Sequence, residues 1–137
     1  MGATQVGGDG EPARAREAAI ARLRAWGGDG LARDMAALFA DAVPTRLEEA
    51  RQGLATDDHA AVASAMHTLK ASCAQLGGVE AAACCAAAER AALDGGTPER
   101  LARAVADVAA ACAAHVAWLE RALAPADGTS DGTSGDA

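Results

Sequence analysis

The residues best suited to chemistry lie in one predicted helix, which ends at a double glycine, Gly77-Gly78. His67 falls on the outer face of this helix, and Lys70 follows three residues later, about one turn away. The positions around the histidine carry small side chains. They are Ala60, Ala63, Ser64, Ala71 and Ala74. These small side chains predict that the His67 imidazole is accessible to a macromolecule, such as the surface of another protein.

The opposite face of the same helix is apolar, which fixes the direction in which His67 points. On a helical wheel of about 100° per residue, one arc holds Val62, Met66, Leu69, Cys73 and Leu76. An ammonium group one turn from the ring does not favour a protonated histidine, because like charges repel. It does favour an anion attached to the ring, in particular a phosphoryl group on a ring nitrogen.

The chain offers His67 no obvious catalytic partner. No serine or cysteine is paired with it by spacing, no carboxylate lies on its own helix face, and no phosphate-binding glycine loop or magnesium-binding carboxylate set is present. The site is therefore predicted to hold a phosphoryl group without running a reaction alone. A simpler interpretation stays open, since single histidines on helices are commonly surface residues without a role.

The composition favours a helical protein and disfavours two classes of partner. Of the 137 residues, 51% are apolar but only 2% are aromatic, and alanine supplies most of the apolar residues. Such a chain suits closely packed helices better than a sheet. The formal net charge of -7 disfavours nucleic acid, whose binding depends on cationic neutralisation of phosphates. No apolar run approaches the roughly 20 residues of a membrane span, and the start lacks a secretory signal. We therefore expect a cytoplasmic protein without membrane contact.

The cysteines of a cytoplasmic protein are expected to be reduced thiols. Cys73, Cys84, Cys85 and Cys112 show no C-x-x-C pair and no histidine at ligand spacing, so no metal site is predicted. Cys84 and Cys85 are interpreted as buried residues that only pack in the core.

Glycine, proline and capping residues divide the chain into a flexible leader at 1–10, a helical domain at 11–124 and a disordered acidic tail at 125–137. Helices are predicted over about 12–26, 29–54, 57–76, 79–93 and 98–123, with a kink or break at Pro44. The expected fold is all-α, an antiparallel up-down four-helix bundle with an additional N-terminal capping helix.

Several single residues receive predictions of their own. Leu38 and Phe39 fit the apolar pattern of the second predicted helix, and Trp26 and Trp118 are predicted core anchors. His59 is predicted to be exposed. His115 is predicted to be a surface or packing residue that is spaced to stack on Trp118.

The run His67-Thr68-Leu69-Lys70-Ala71-Ser72-Cys73-Ala74-Gln75-Leu76-Gly77 resembles the H-x-L-K-G-S-S-x-x-L-G signature of histidine-containing phosphotransfer (HPt) domains. The resemblance extends over about residues 12–123. Two positions depart from the signature. Ala71 replaces the usual glycine and adds one methyl group near the histidine, and Cys73 replaces the second serine on the buried side.

The resemblance implies a phosphorelay intermediate in two-component signal transduction. His67 would accept a phosphoryl group from a receiver-domain phospho-aspartate and pass it to another receiver aspartate. Lys70 would stabilise the phosphate, and Glu89, on the next helix, would orient the ring. The implied partners are response-regulator receiver domains and a hybrid histidine kinase, and the chain itself would be a monomer and no autokinase. It would need no cofactor, because the receiver domain supplies Mg²⁺.

Three alternatives remain open at this point. The alanine face of a non-phosphorylated adaptor would dock and inhibit a receiver or kinase domain. In the second alternative, the chain is the HPt module of a larger histidine kinase. A metal-binding bundle is a distant further alternative, because inward-facing Glu-x-x-His pairs are absent.

Overall fold

The computed structural model describes the backbone of residues 2–125 and the side chains of residues 10–125. In that part, the chain forms four helices and no strand. They are α1 at Gly2–Ala55, α2 at His59–Gln75, α3 at Val79–Leu93 and α4 at Pro98–Ala122. The prediction of an all-α protein is confirmed.

Helix α1 contains both of the first two predicted helices, joined across a kink. Gly27 and Gly28 leave helical geometry there, with φ of -149° and 73°. The kink therefore lies where a helix stop was predicted. The backbone is helical from Gly2 onward. The flexible leader predicted over residues 1–10 stays a prediction. The tail predicted from 125 lies outside the described residues, except for Pro125.

A kink or break is predicted at Pro44, and the break does not occur. Within α1, only Gly27 and Gly28 depart from helical backbone angles, and the helix continues through the proline. Proline removes one hydrogen bond, to the carbonyl four residues earlier. Because Pro44 lies on the exposed side of the helix, water reaches this region and reduces the cost of the lost bond.

The other helix ends lie where the sequence predicted them. Asp58 caps α2 by accepting a hydrogen bond from the Ala61 amide at 3.0 Å. Thr97 caps α4 in the same way, with Pro98 in the first turn. The turn after α2 needs a glycine, because Gly77 has φ of 75° and a Cβ there would lie 2.5 Å from the Ala15 carbonyl oxygen.

The four helices share one apolar core. Helix α4 carries an apolar seam that is buried, with Val116 the half-buried exception. The seam includes Leu101, Val105, Val108, Cys112 and Leu119. Each helix packs mainly on its neighbours in the chain, and α1 also packs on α4. The connections after α1, α2 and α3 are only three to four residues long, which favours antiparallel neighbours. The up-down orientation stays a prediction.

Two large apolar residues lie outside this core, contrary to prediction. Trp26 is 72% exposed, since it directly precedes the kink at the end of a helical segment. Leu38 is 63% exposed because its neighbour Phe39, about 100° further round the helix, takes the inward position.

The segment of α1 before the kink lies against the α2–α3 turn. Ala15 approaches Gly77, and the Arg22 guanidinium donates to the Gln75 carbonyl at 3.4 Å. The capping role of this segment stays a prediction.

Helix α4 is long and apolar enough to cross a membrane, by length and composition alone. Its longest stretch without Asp, Glu, Lys or Arg, residues 108–119, is shorter than the roughly 20 residues of the apolar run considered in the sequence. The seam of α4 packs into the bundle. The remaining faces of the helix carry exposed charged residues, including Arg103, Asp107 and Glu120. These features are typical of the core helix of a bundle.

Candidate functional site

His67 projects from the outer face of α2, and 65% of its side chain is exposed. The arc opposite it is buried, as the wheel predicted, and consists of Val62, Met66, Leu69, Cys73 and Leu76. Burial of that arc fixes the rotation of α2. The imidazole is therefore presented to solvent by the packing of the helix rather than by a loop.

Glu89, from the neighbouring helix α3, connects His67 and Lys70. Its Oε2 lies 3.0 Å from His67 Nδ1, and its Oε1 accepts a hydrogen bond from Lys70 Nζ at 3.1 Å. The Glu89 side chain is 19% exposed and that of Lys70 36%, so both are more enclosed than the histidine. The structure thus brings together the three residues of the predicted site. The roles assigned to them stay predictions.

The Glu89 contact distinguishes the two ring nitrogens of His67. An ionised carboxylate can only accept a hydrogen bond, so His67 Nδ1 is protonated and donates to Glu89. In the neutral ring, the lone pair is therefore on Nε2. Partial burial on its own raises the pKa of Glu89, but hydrogen bonds from Lys70 and His67 outweigh it and hold that pKa below its usual value. Glu89 is therefore ionised at neutral pH, as this assignment requires.

Four of the five predicted small residues around His67 are exposed. They are Ala60, Ser64, Ala71 and Ala74. Ala63 is 6% exposed, so its assignment to the accessible face is wrong. Ala63 lies on the same side of His67 as Lys70, about 40° round the wheel. That side faces α3, which supplies Glu89.

The sequence reasoning missed Leu93, which is 68% exposed at the end of α3. It lines a shallow depression of about 270 Å³ together with Lys70, Ala86, Glu89 and Arg90. Leu93 follows Glu89 by four residues, so the two lie on one helix face. That spacing could have identified an apolar residue beside the site once Glu89 was placed there.

The other two histidines lie apart from this site. His59 is 33% exposed at the start of α2, with Nε2 3.4 Å from an Asp57 carboxylate oxygen. It is more covered than predicted. His115 is buried, and its Nε2 donates to the Leu76 carbonyl at 3.0 Å. The predicted stacking on Trp118 is present, with ring centroids 6.1 Å apart and planes inclined by 3°.

The surroundings of His115 disfavour its charged form. Burial lowers the pKa of His115, the Leu76 carbonyl opposes that effect, and the charge of Arg16 lowers the pKa further. The Arg16 guanidinium itself lies over the Trp118 ring, 4.9 Å from its centroid. His115 is therefore a neutral core residue, and we assign it no part in the site of His67.

Cys73, Cys85 and Cys112 converge in the core, although the sequence showed no ligand spacing. Their three Sγ atoms lie within 4.8 Å of one another, and all three residues are buried. One cysteine comes from each of α2, α3 and α4, so local spacing could not reveal the group. Cys84, the fourth, is half-buried and outside it; burial, followed by the charge of Asp107, raises the pKa of its thiol.

Comparison with known families agrees with this geometry. The family model of the Hpt domain matches residues 34–124, which is more than half of the chain. The chain therefore belongs to the Hpt domain family, whose members are phosphocarrier modules of two-component signalling. The match begins after the kink in α1 and includes His67, Lys70 and Glu89. No curated protein and no solved structure matches the chain.

Proposed function

We propose that this protein is a phosphorelay intermediate. It accepts a phosphoryl group on His67 from the phospho-aspartate of one receiver domain and passes it to the aspartate of another. The observation that carries the proposal is the exposed His67 ring with its Nδ1 held by Glu89. This arrangement leaves Nε2 of the ring accessible to a partner and gives Nδ1 a fixed hydrogen-bond acceptor.

The reacting atom in this proposal is His67 Nε2. Its lone pair attacks the phosphorus of the receiver's acyl phosphate, so an N–P bond forms while the P–O bond to aspartate breaks. The aspartate leaves as a carboxylate. The ring keeps its Nδ1 proton and becomes a phosphorylated imidazolium, whose charge the Glu89 carboxylate balances. Delivery to the second receiver reverses these bond changes.

Lys70 is proposed to stabilise the phosphoryl group. Its ammonium lies about one turn from His67 and is partly exposed, with Nζ held by Glu89 at 3.1 Å. Rotation of this long side chain brings the ammonium toward phosphate oxygens, while Glu89 keeps its contact with Nδ1. The same contact makes Glu89 the ring-orienting residue in this proposal.

The proposed docking surface consists of the exposed small residues of α2 and one leucine of α3. They are Ala60, Ser64, Ala71, Ala74 and Leu93. Their small volume gives a receiver domain a close approach to Nε2, and Leu93 offers an apolar contact at the edge. The receiver supplies the Mg²⁺ and the acidic pocket, so the chain acts as a carrier without its own kinase activity.

The cellular setting completes the proposal. The chain acts in the cytoplasm as a monomer, and its phosphoryl donor is the receiver domain of a hybrid histidine kinase. A response regulator receives the group.

The direct test is phosphoryl transfer from a phosphorylated receiver domain to the purified chain. We expect acid-labile, alkali-stable label on the parent protein and on His59→Gln, which changes another histidine of α2. His67→Gln should carry no label. If His67→Gln is labelled as strongly as the parent, the proposal is wrong. If the parent takes no label but binds and inhibits the receiver, and His67→Gln does the same, the protein is an adaptor.

Lys70 is tested separately. Lys70→Ala should slow transfer while the thermal unfolding curve stays unchanged, and Lys70→Arg should retain most of the rate because it keeps the positive charge. Equal rates for the parent and Lys70→Ala would remove Lys70 from the mechanism.

A further inference from the structure

Three thiols meet in the centre of the bundle, away from His67. Cys73, Cys85 and Cys112 are each 0% exposed, and their Sγ atoms lie within 4.8 Å of one another. The Sγ atoms of Cys73 and Cys112 are 3.8 Å apart. Three packed helices each supply one sulfur, so the group is already assembled in the folded chain.

This spacing fits three sulfurs on one central atom. Thiolate sulfurs bound at about 2.3 Å lie about 3.5–4 Å apart, close to the observed separation, and small side-chain rotations would bring the group together. Among the described residues, no fourth histidine, cysteine or carboxylate joins the group. Structural zinc prefers four ligands, so the group favours a three-coordinate thiophilic centre instead.

The burial of the cluster selects the charge of that centre. A complex of three thiolates with a monovalent cation carries two negative charges, and one with a divalent cation carries one. Net charge in an apolar interior is costly. Three thiolates on a trivalent centre form a neutral complex, which avoids this cost. We propose that Cys73, Cys85 and Cys112 form a binding site for a trivalent thiophilic metalloid, with arsenous acid as the ligand.

The reaction needs no oxidant, reductant or other reactant. Arsenous acid, As(OH)₃, meets three thiols; three As–O bonds and three S–H bonds break, three As–S bonds form, and three water molecules leave. Arsenic stays trivalent throughout. Both arsenous acid and the complex that it forms are uncharged. Arsenous acid therefore carries no charge into the core when it enters through local openings of the helices.

The chain contains its own control for this site. Cys84 is adjacent to Cys85 in sequence but lies outside the cluster and is half-buried. In the folded protein, Cys84 therefore contributes nothing to the site. In the unfolded chain, by contrast, the neighbouring Cys84 and Cys85 thiols form a flexible pair that can bind arsenic. Binding to the folded state raises Tm, whereas binding to the unfolded state lowers it.

The test uses the full chain, reduced with a phosphine and titrated with sodium arsenite at neutral pH. We expect one arsenic per chain, three sulfur neighbours by X-ray absorption spectroscopy, and a rise in Tm on the order of 10 °C at 100-fold excess over Kd. Cys84→Ala should bind as the parent does. Cys85→Ala and Cys112→Ala, checked for native helicity by circular dichroism, should bind at least about tenfold more weakly, since one As–S bond is lost.

Several results would overturn the proposal. They are the absence of binding to the folded parent, a fall in Tm on adding arsenite, and equal loss of binding in Cys84→Ala and Cys85→Ala. Zinc chloride serves as a comparison ligand. A rise in Tm with zinc that exceeds the rise with arsenite would assign the cluster to a divalent ion and contradict the charge argument.

Discussion

Replacement of Glu89 by glutamine tests the proposed mechanism most closely. Glu89 presents one oxygen to His67 Nδ1 at 3.0 Å and the other to Lys70 Nζ at 3.1 Å. Glutamine has nearly the same shape, but it offers one oxygen and one NH₂ group. One of the two donors would then face another donor. The substitution also removes the negative charge that balances the phosphorylated imidazolium.

The size of the effect follows from the kind of hydrogen bond that is lost. A hydrogen bond to a charged group contributes about 1.5–3 kcal/mol. His67 is 65% exposed, and solvent screening places this contact at the lower end of that range. A loss of about 1.5 kcal/mol in the transition state corresponds to a rate about tenfold lower.

The assay is the single-turnover rate of transfer from a phosphorylated receiver domain to Glu89→Gln. Glu120→Gln is the matched control, because Glu120 is exposed on α4 and makes no ion pair among the described residues. We expect the control to transfer at the parent rate. Nitrogen NMR of His67 gives a second readout, with the parent carrying its proton on Nδ1 and the variant shifting toward Nε2. Transfer by folded Glu89→Gln at the parent rate, with an unchanged tautomer, would refute the assigned role of the carboxylate.

Three further predictions concern stability and docking. Gly77→Ala should lower the free energy of unfolding by about 2–5 kcal/mol, because the new Cβ meets the Ala15 carbonyl and φ is positive, whereas Gly95→Ala, with positive φ but open space, should lower it by about 1–2 kcal/mol. Urea denaturation measures both values, and equal losses would contradict the steric argument. The pKa of His115 is lowered in the folded state, so the unfolded chain binds more protons below about pH 6.5 and stability should fall as the pH is lowered through that range. His115→Phe should reduce this dependence, and an unchanged slope in the variant would contradict the assignment. Ala71→Arg should block transfer from the receiver without changing Tm, because Ala71 is exposed beside His67; transfer at the parent rate would exclude this position from the docking surface.

The helix ends and the direction of His67 depend on neighbouring residues, so the sequence predicted them well. Asp58 and Thr97 cap their helices by hydrogen bonds to amides three residues away. The apolar arc of α2 is a property of one helix, and its burial turns His67 outward. The phosphotransfer signature is one continuous run that begins on the same helix and ends in the turn after it, which is why family membership could be predicted before the fold was known.

The incorrect predictions concern burial, which depends on what covers a residue. Trp26 is apolar and aromatic, yet no neighbouring element covers it beside the kink. Ala63 belongs by wheel angle to the face of His67, yet it is buried on the side that faces α3. The absence of a break at Pro44 also depends on exposure, because the proline lies on the solvent side of α1.

The sequence by itself determined an all-helical chain, the ends of its helices and a histidine with a lysine one turn away, since each depends on residues close together in the chain. Only the tertiary structure decided which side chains of other helices lie against those residues. It placed the Glu89 carboxylate between His67 and Lys70, and it gathered Cys73, Cys85 and Cys112 from three helices into one group. Both arrangements depend on the rotation and the relative shift of packed helices, which no local pattern specifies.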